Sequence, residues 1–335
     1  MFEELLNLAE ESLRKSGNAY DYAAVMNLTA NIVMKEMDNN EEDELNLILS
    51  QHDEFIKNNR ERWKDGFAKL HLLRSICLQV GMNFQQRFLK IPKYETDEVL
   101  GVLMRQHAHA CRVSAEIIHL LEGGYPDAAL ARWRTLYEIA ITCLIIRKCG
   151  RPAAIDYIKY NEVKKAEAVA EHRKTAGMMG KKTFSDQEAV FYQNIKSEIT
   201  NGNEGWHWAR KHTGYGKIAK LAEFAGLGQW SHHYMIASNI IHPESHEMAS
   251  LYAMKEAKHP ALLCGQSNSG LTDPAHFTAI SLSQVTSAFV SVYADEDANE
   301  IDYTDSALFL MLVDSYVDKV GEAFRRCENL TCSGR

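Results

Sequence analysis

The stretch AALARWRTLYEIAITCLII, residues 128–146, decides the fold. Wound as a helix it is apolar on nearly every side, and such a helix belongs at the centre of a protein, covered all round. Arg132, Arg134 and Glu138 interrupt it. Three charges in so short a run argue against a bilayer-spanning helix. At about 100° per residue, Arg134 and Glu138 share one face, and Arg132 lies about 200° round from Arg134. Burying an unpaired charge costs on the order of several kcal/mol, so each must be paired or within reach of a ligand. Arg134 and Glu138 are thus either a structural ion pair locking helix to helix or the polar lining of an interior cleft.

Working outward, Gly123-Gly124 and Pro126-Asp127 mark the start of this helix, and Gly150 with Pro152 its end, giving about 127–149. Upstream, Leu100, Leu103, His107, Cys111, Ser114, Ile118 and Leu121 share a face of a helix over about 96–122. Before that, Trp63, Phe67, Leu70, Leu73, Ile76, Val80, Phe84 and Phe88 form one apolar stripe over 60–89, closed by Pro92. Downstream, a charged helix runs to about Lys174, a Gly/Lys-rich loop spans 175–184, and Ser185-Asp186-Gln187-Glu188 is a capping box opening a helix to about Thr200. Residues 201–205 make a turn. Helices follow at about 215–225 and 230–242, then a long loop at 256–273. Asp273-Pro274 caps a helix to about Ala294, and an amphipathic helix spans about 303–327. No stretch alternates as a strand would. The reading is all-α, a multi-helix bundle or bundle-like array. Residues 1–58 form an acidic N-terminal helical lobe and 59–330 the main helical domain. The long apolar faces point to a possible homodimer.

Hydrophobic residues make up 46% of the 335, enough for a core without disulfide or metal staples. The seven cysteines are an odd set, mostly in apolar runs, and read as reduced core thiols of a reducing compartment. Met1-Phe2-Glu3-Glu4 is acidic where a secretory leader is basic. These features predict a cytoplasmic protein with no membrane span. The net charge of −8 is uneven: residues 147–220 hold 15 Lys/Arg against 8 Asp/Glu, leaving −15 for the rest. Residues 36–54 hold eight acids and no Lys or Arg, and 295–305 hold six. The basic middle is either a solvated helix face or a guide for an anionic polymer such as RNA. The acidic lobe or the basic middle would also suit a protein partner.

A second cluster is Trp230 through Pro243. Tyr234, Ser238 and His242 stand four apart on one helix face, with Asn239 beside them. Pro243 disfavours the α conformation at His242, which therefore falls at a helix end. A histidine there is either a cap or an acid–base group titrating near neutral pH. His242 and His246 would need an unbroken helix to share a metal, and Cys327 with Cys332 lacks a second pair, so no metal and no cofactor is expected. The run Gly177 to Thr183 lacks the glycine spacing of a phosphate loop. Trp206, His207, Trp208 and Tyr215 with Arg210-Lys211 form an aromatic–basic patch that either stacks bases or packs a helix junction.

Arg132-Trp133-Arg134-Thr135-Leu136-Tyr137-Glu138, Leu120 through Tyr125, Tyr234 through Pro243 and Gly265 through Leu271 resemble a family of bacterial proteins with a domain of unknown function, over about residues 52–325. More distantly the chain resembles the HEPN superfamily, helical proteins that are often ribonucleases of toxin–antitoxin and phage-defence systems. Their signature sets an arginine ahead of a histidine with four to six residues between them. The corresponding positions before His242 are Ala237, Ile236 and Met235, so this chain departs from it. The resemblance implies a metal-independent endoribonuclease in which Arg134, Glu138 and His242 are catalytic, supported by Tyr234, Ser238 and Asn239. The other reading is a non-catalytic helical binding or regulatory module in which Arg134, Glu138 and His242 form a structural polar network.

Overall fold

The computed structural model describes residues 7, 11, 14, 15, 22–241, 251–259, 262–293 and 304–333. Among them are twelve α-helices and no strand, so the chain is all-α. The helices are α1 Tyr22–Asn39, α2 Glu41–Arg62, α3 Lys64–Phe88, α4 Glu98–Glu122, α5 Pro126–Cys149, α6 Arg151–Ala176, α7 Asp186–Thr200, α8 Arg210–Thr213, α9 Ile218–Phe224, α10 Ser231–Ile241, α11 Thr272–Val290 and α12 Thr304–Ser333. None among the described residues is long and apolar enough to cross a membrane. The chain divides into two units, residues 1–58 and 59–335. In the first, α1 buries Val25 and Thr29, and every residue from 34 to 51 is exposed, including Met34, Met37, Leu45, Ile48 and Leu49.

The second unit is a helical bundle. The stripe along α3 is buried as expected, from Phe67 through Leu70, Leu73, Val80 and Phe84 to Phe88. The helix breaks at Trp63, which is itself buried, so residues 60–62 of the expected helix belong to α2. α5 is covered on most sides, with Leu130, Trp133, Leu136, Tyr137, Ala140 and Ile141 inside. α5 packs against α4, α6, α9, α10 and α11, and α11 is the other hub, packing against α3, α4, α5 and α12. Small residues make this possible: Ala275, Ala279, Ser281 and Ala288 are all buried. Two of its buried hydroxyls bond back to their own helix, Thr278 to the Pro274 carbonyl at 2.7 Å and Thr286 to that of Leu282 at 2.9 Å, and Thr272 reaches Glu328 of α12 at 2.9 Å, so none of these carries a desolvation debt. Asp273 does not cap α11. Leu271 holds the cap position, and the helix ends at Val290, short of the expected Ala294.

The loop expected over 256–273 is tied to the bundle. Asp127, at the start of α5, accepts the backbone N–H groups of Tyr252 at 2.8 Å and Ala253 at 3.0 Å. Ser267 N–H reaches the Gly124 carbonyl at 2.9 Å, and the Trp63 indole N–H the Asn268 carbonyl at 3.0 Å. Gly270 turns at φ +74°, where a Cβ would stand 2.1 Å from the Tyr252 carbonyl oxygen. Only glycine fits. Of the cysteines, Cys77, Cys111, Cys143 and Cys327 are buried and Cys149 is half-buried, but Cys264 in this loop is exposed rather than in the core.

Between α3, α4 and α11 lies a buried polar knot. His107 Nε2 is 3.2 Å from Thr286 Oγ1, and its ring fills the space where a side chain on Gly81 would stand. Burial drives the His107 pKa down to about 4, so it is held neutral.

Two outcomes are expected. Gly270→Ala lowers unfolding stability by more than about 2 kcal/mol, from left-handed strain plus the backbone clash, read by chemical denaturation. A histidine with its folded pKa below its unfolded value contributes stability that is complete above about pH 6.5 and is lost as pH falls towards 4. Denaturation midpoints therefore fall across that window, by about 3 kcal/mol at most. His107→Leu flattens that part of the profile.

Candidate functional site

Trp133 sets the rotation of α5. Its indole N–H points into the hub, 3.0 Å from both the Phe277 carbonyl and Ser281 Oγ. One turn on, the buried Tyr137 hydroxyl donates to the Leu227 carbonyl at 2.8 Å. With those two rings inward, Arg132 and Arg134 fall to opposite sides. Arg132 pairs with Glu116 of α4 and reaches Thr135 Oγ1 at 3.2 Å. Arg134 faces α10.

There Arg134, Glu138 and Tyr234 close into a triangle. The single Nε hydrogen of Arg134 is shared between Tyr234 Oη at 2.9 Å and Glu138 Oε1 at 3.2 Å. The Tyr234 hydroxyl donates to the same Glu138 oxygen at 2.6 Å. The guanidinium carbon lies 5.1 Å from the centre of the Tyr234 ring, within cation–π range. Burial, together with the hydrogen bond to Glu138, raises the Tyr234 pKa to about 12, although Arg134 opposes it. Tyr234 thus stays a phenol. Burial works against the Arg134 charge, but the partners Tyr234 and Glu138 outweigh it, and the net shift is upward. Among the described residues the Arg134 Nη1 and Nη2 groups make no hydrogen bond.

The structure therefore brings three of the expected residues together, two from α5 and one from α10. The setting differs from the interior cleft read in the sequence. The Arg134 side chain is 30% exposed and that of Glu138 41%, so the cluster sits at the bundle's edge and is open to solvent. Ser238 lies one turn beyond Tyr234, but its hydroxyl is spent on the Tyr234 carbonyl at 2.8 Å. Asn239 is half-buried on α10. His242 lies outside the described residues, as does His246. The sequence placed Tyr234 in a supporting role. In the structure its hydroxyl links cation to carboxylate, and only the packing of α10 on α5 reveals this.

A second depression, of about 460 Å³, opens at the C-terminal end of α5 and is lined by Arg147, Lys148, Phe224 and Val292 among others. The Lys148 amine lies 4.3 Å from the Phe224 ring centre.

A helical bundle bearing an accessible arginine–carboxylate–phenol cluster is the class that fold and site define. Residues 100–259, which include Arg134, Glu138 and Tyr234, match a family of unknown function, DUF5677. No curated protein matches the chain. No solved structure matches it either.

Tyr234→Phe removes both bonds to the phenol oxygen and keeps the ring. Thermal or chemical denaturation should show a loss of about 1 kcal/mol, the usual worth of a part-exposed hydrogen-bond pair. An unchanged midpoint would mean that the triangle does not form in solution.

Proposed function

We propose that this chain binds a phosphate-bearing ligand at Arg134 and that the ligand is RNA, cut without a metal. One observation supports this above the others. The Arg134 Nε is held by Tyr234 and Glu138, while neither Nη hydrogen-bonds a described residue. A guanidinium oriented in that way offers the planar fork that fits two phosphate oxygens.

On this reading His242 acts as general base and takes the proton from a ribose 2′-hydroxyl. The 2′-oxygen attacks phosphorus and the bond to the 5′-oxygen breaks. A 2′,3′-cyclic phosphate and, with a proton from water, a 5′-hydroxyl end are formed. Arg134 stabilises the charge growing on the phosphoryl oxygens. Glu138 and Tyr234 hold the guanidinium, Ser238 and Asn239 give polar support, and the basic segment 147–220 draws in the strand. The resemblance to HEPN-type ribonucleases would make the protein a cytoplasmic effector of a toxin–antitoxin or phage-defence system.

A second reading has its own support. Glu138, Tyr234 and the Arg134 Nε complete one another's hydrogen bonds without any ligand. On that reading the cluster fixes the register of α10 on α5 in a non-catalytic binding or regulatory module.

Purified protein incubated with total RNA in EDTA separates the two. Cleavage that falls on the order of a hundredfold or more in His242→Ala and Arg134→Ala, with melting temperatures unchanged, supports the ribonuclease. Equal cleavage by all three proteins, or by none, rejects it. No turnover together with a sharp drop in the melting temperature of Arg134→Ala is the result expected of the module.

A further inference from the structure

The aromatic–basic patch seen in the sequence becomes a defined surface in the fold. Tyr160 stands on α6, and Trp206 and His207 lie in the turn between α7 and α8. The ring centres of Tyr160 and Trp206 are 6.0 Å apart, and those of Tyr160 and His207 5.2 Å. All three side chains are only partly covered. Trp208 beneath them is different. It is buried edge-on against Tyr157, 5.0 Å away, and anchors the turn. Tyr160 and Trp206 also pack against the core on one side, and only their uncovered part faces outward.

Donors and cations lie among the polar groups near the rings. His207 Nδ1 accepts the Ala209 backbone N–H at 3.2 Å, which leaves the neutral ring's proton on Nε2. Burial, with Arg210 and Lys164 close by, lowers the His207 pKa and keeps it neutral. The Arg210 guanidinium lies along the backbone of two glycines. A Cβ on Gly216 would be 3.1 Å from its Nη2, and one on Gly205 3.4 Å from its Nη1. Arg210 is exposed, and among the described residues it forms no ion pair. Lys211, the next residue, and Lys217, seven residues on, are exposed, as is Glu204 two residues before Trp206. Lys164 lies 5.1 Å from the Tyr160 ring but is tied to Glu167 at 2.8 Å, so it is the weaker of the cations.

We infer that Tyr160, Trp206 and His207 form a stacking site for unpaired bases of single-stranded RNA, with Arg210 as the contact to the adjacent phosphate. Every base has a π-face, so part-exposed rings of this kind take single strands with little regard to sequence, and cations beside them track the backbone. A free carboxylate-bearing partner would satisfy the cations and leave the rings unused. The choice of RNA as the polymer rests on the function proposed above, but the contact is separate from Arg134.

The test is fluorescence anisotropy with a short unstructured RNA at low salt, using the full chain. Trp206→Ala should weaken binding about five- to a hundredfold, and Trp206→Phe should keep most of it. Arg210→Gln should weaken binding and flatten the plot of log affinity against log salt by about 0.7, one phosphate contact on a single strand. The same sequence as a duplex should bind less well than the single strand. Trp206→Ala and Arg210→Gln binding like wild type with normal melting temperatures would overturn the proposal. So would the absence of wild-type binding at about 100 μM protein, the weak end of non-specific affinities. Loss of binding in Arg134→Ala alone discards the stacking site and keeps the Arg134 site. Loss in Trp206→Ala and Arg210→Gln, with Arg134→Ala binding and cleaving as wild type, keeps the stacking site and discards the other.

Discussion

The candidate site depends on where Trp133 points. Its indole N–H needs a partner once the ring is buried, and it finds the Phe277 carbonyl and Ser281 of α11. That choice fixes the rotation of α5 about its axis. The residues on either side of Trp133 are arginines, and each is carried about 100° away from the hub. Arg132 meets Glu116 on α4, and Arg134 meets α10. Had Trp133 turned outward, a guanidinium would face the packed interior, where nothing offsets its desolvation.

The rest of the second unit supports this arrangement. α11 touches four other helices because its buried face is largely alanine, serine and threonine, short enough for close approach. Thr278 and Thr286 bond to their own helix and so are satisfied within it. At the start of α5, Asp127 draws in the segment around Tyr252, and the segment's other end is pinned by Gly124, Trp63 and the turn at Gly270. The string Gly265 through Leu271 thus has a structural role. It is a clasp that needs a glycine where a backbone carbonyl passes close by.

The Arg134 cluster is neither a buried structural pair nor a deep pocket. The carboxylate and the phenol take up one edge of the guanidinium, and the cluster stays part-exposed. Surface ion pairs contribute little to stability. Here the shared phenol adds geometry, holding the guanidinium plane against two helices at once. Orientation of that kind serves anion recognition and helix register alike, so both readings of function remain physically grounded in one set of contacts.

Much was legible in the sequence. Periodicity and turn residues located most helices within a few positions, because the 3.6-residue repeat and the glycine and proline breaks are local properties. The capping box at Ser185 and Glu188 appears as read. The shared face of Arg134 and Glu138, and the separate face of Arg132, follow from spacing alone. Three things were decided only by tertiary packing. α11 became a hub beside α5, because its close approach to four helices depends on small side chains whose pattern carries no strong period. Asp127 went to the clasp, because the backbone N–H groups it meets, those of Tyr252 and Ala253, lie far along the chain. Tyr234 became the link between cation and carboxylate, because a hydroxyl on one helix reaches a pair on another only after the two helices have packed, and no spacing within either segment encodes that distance.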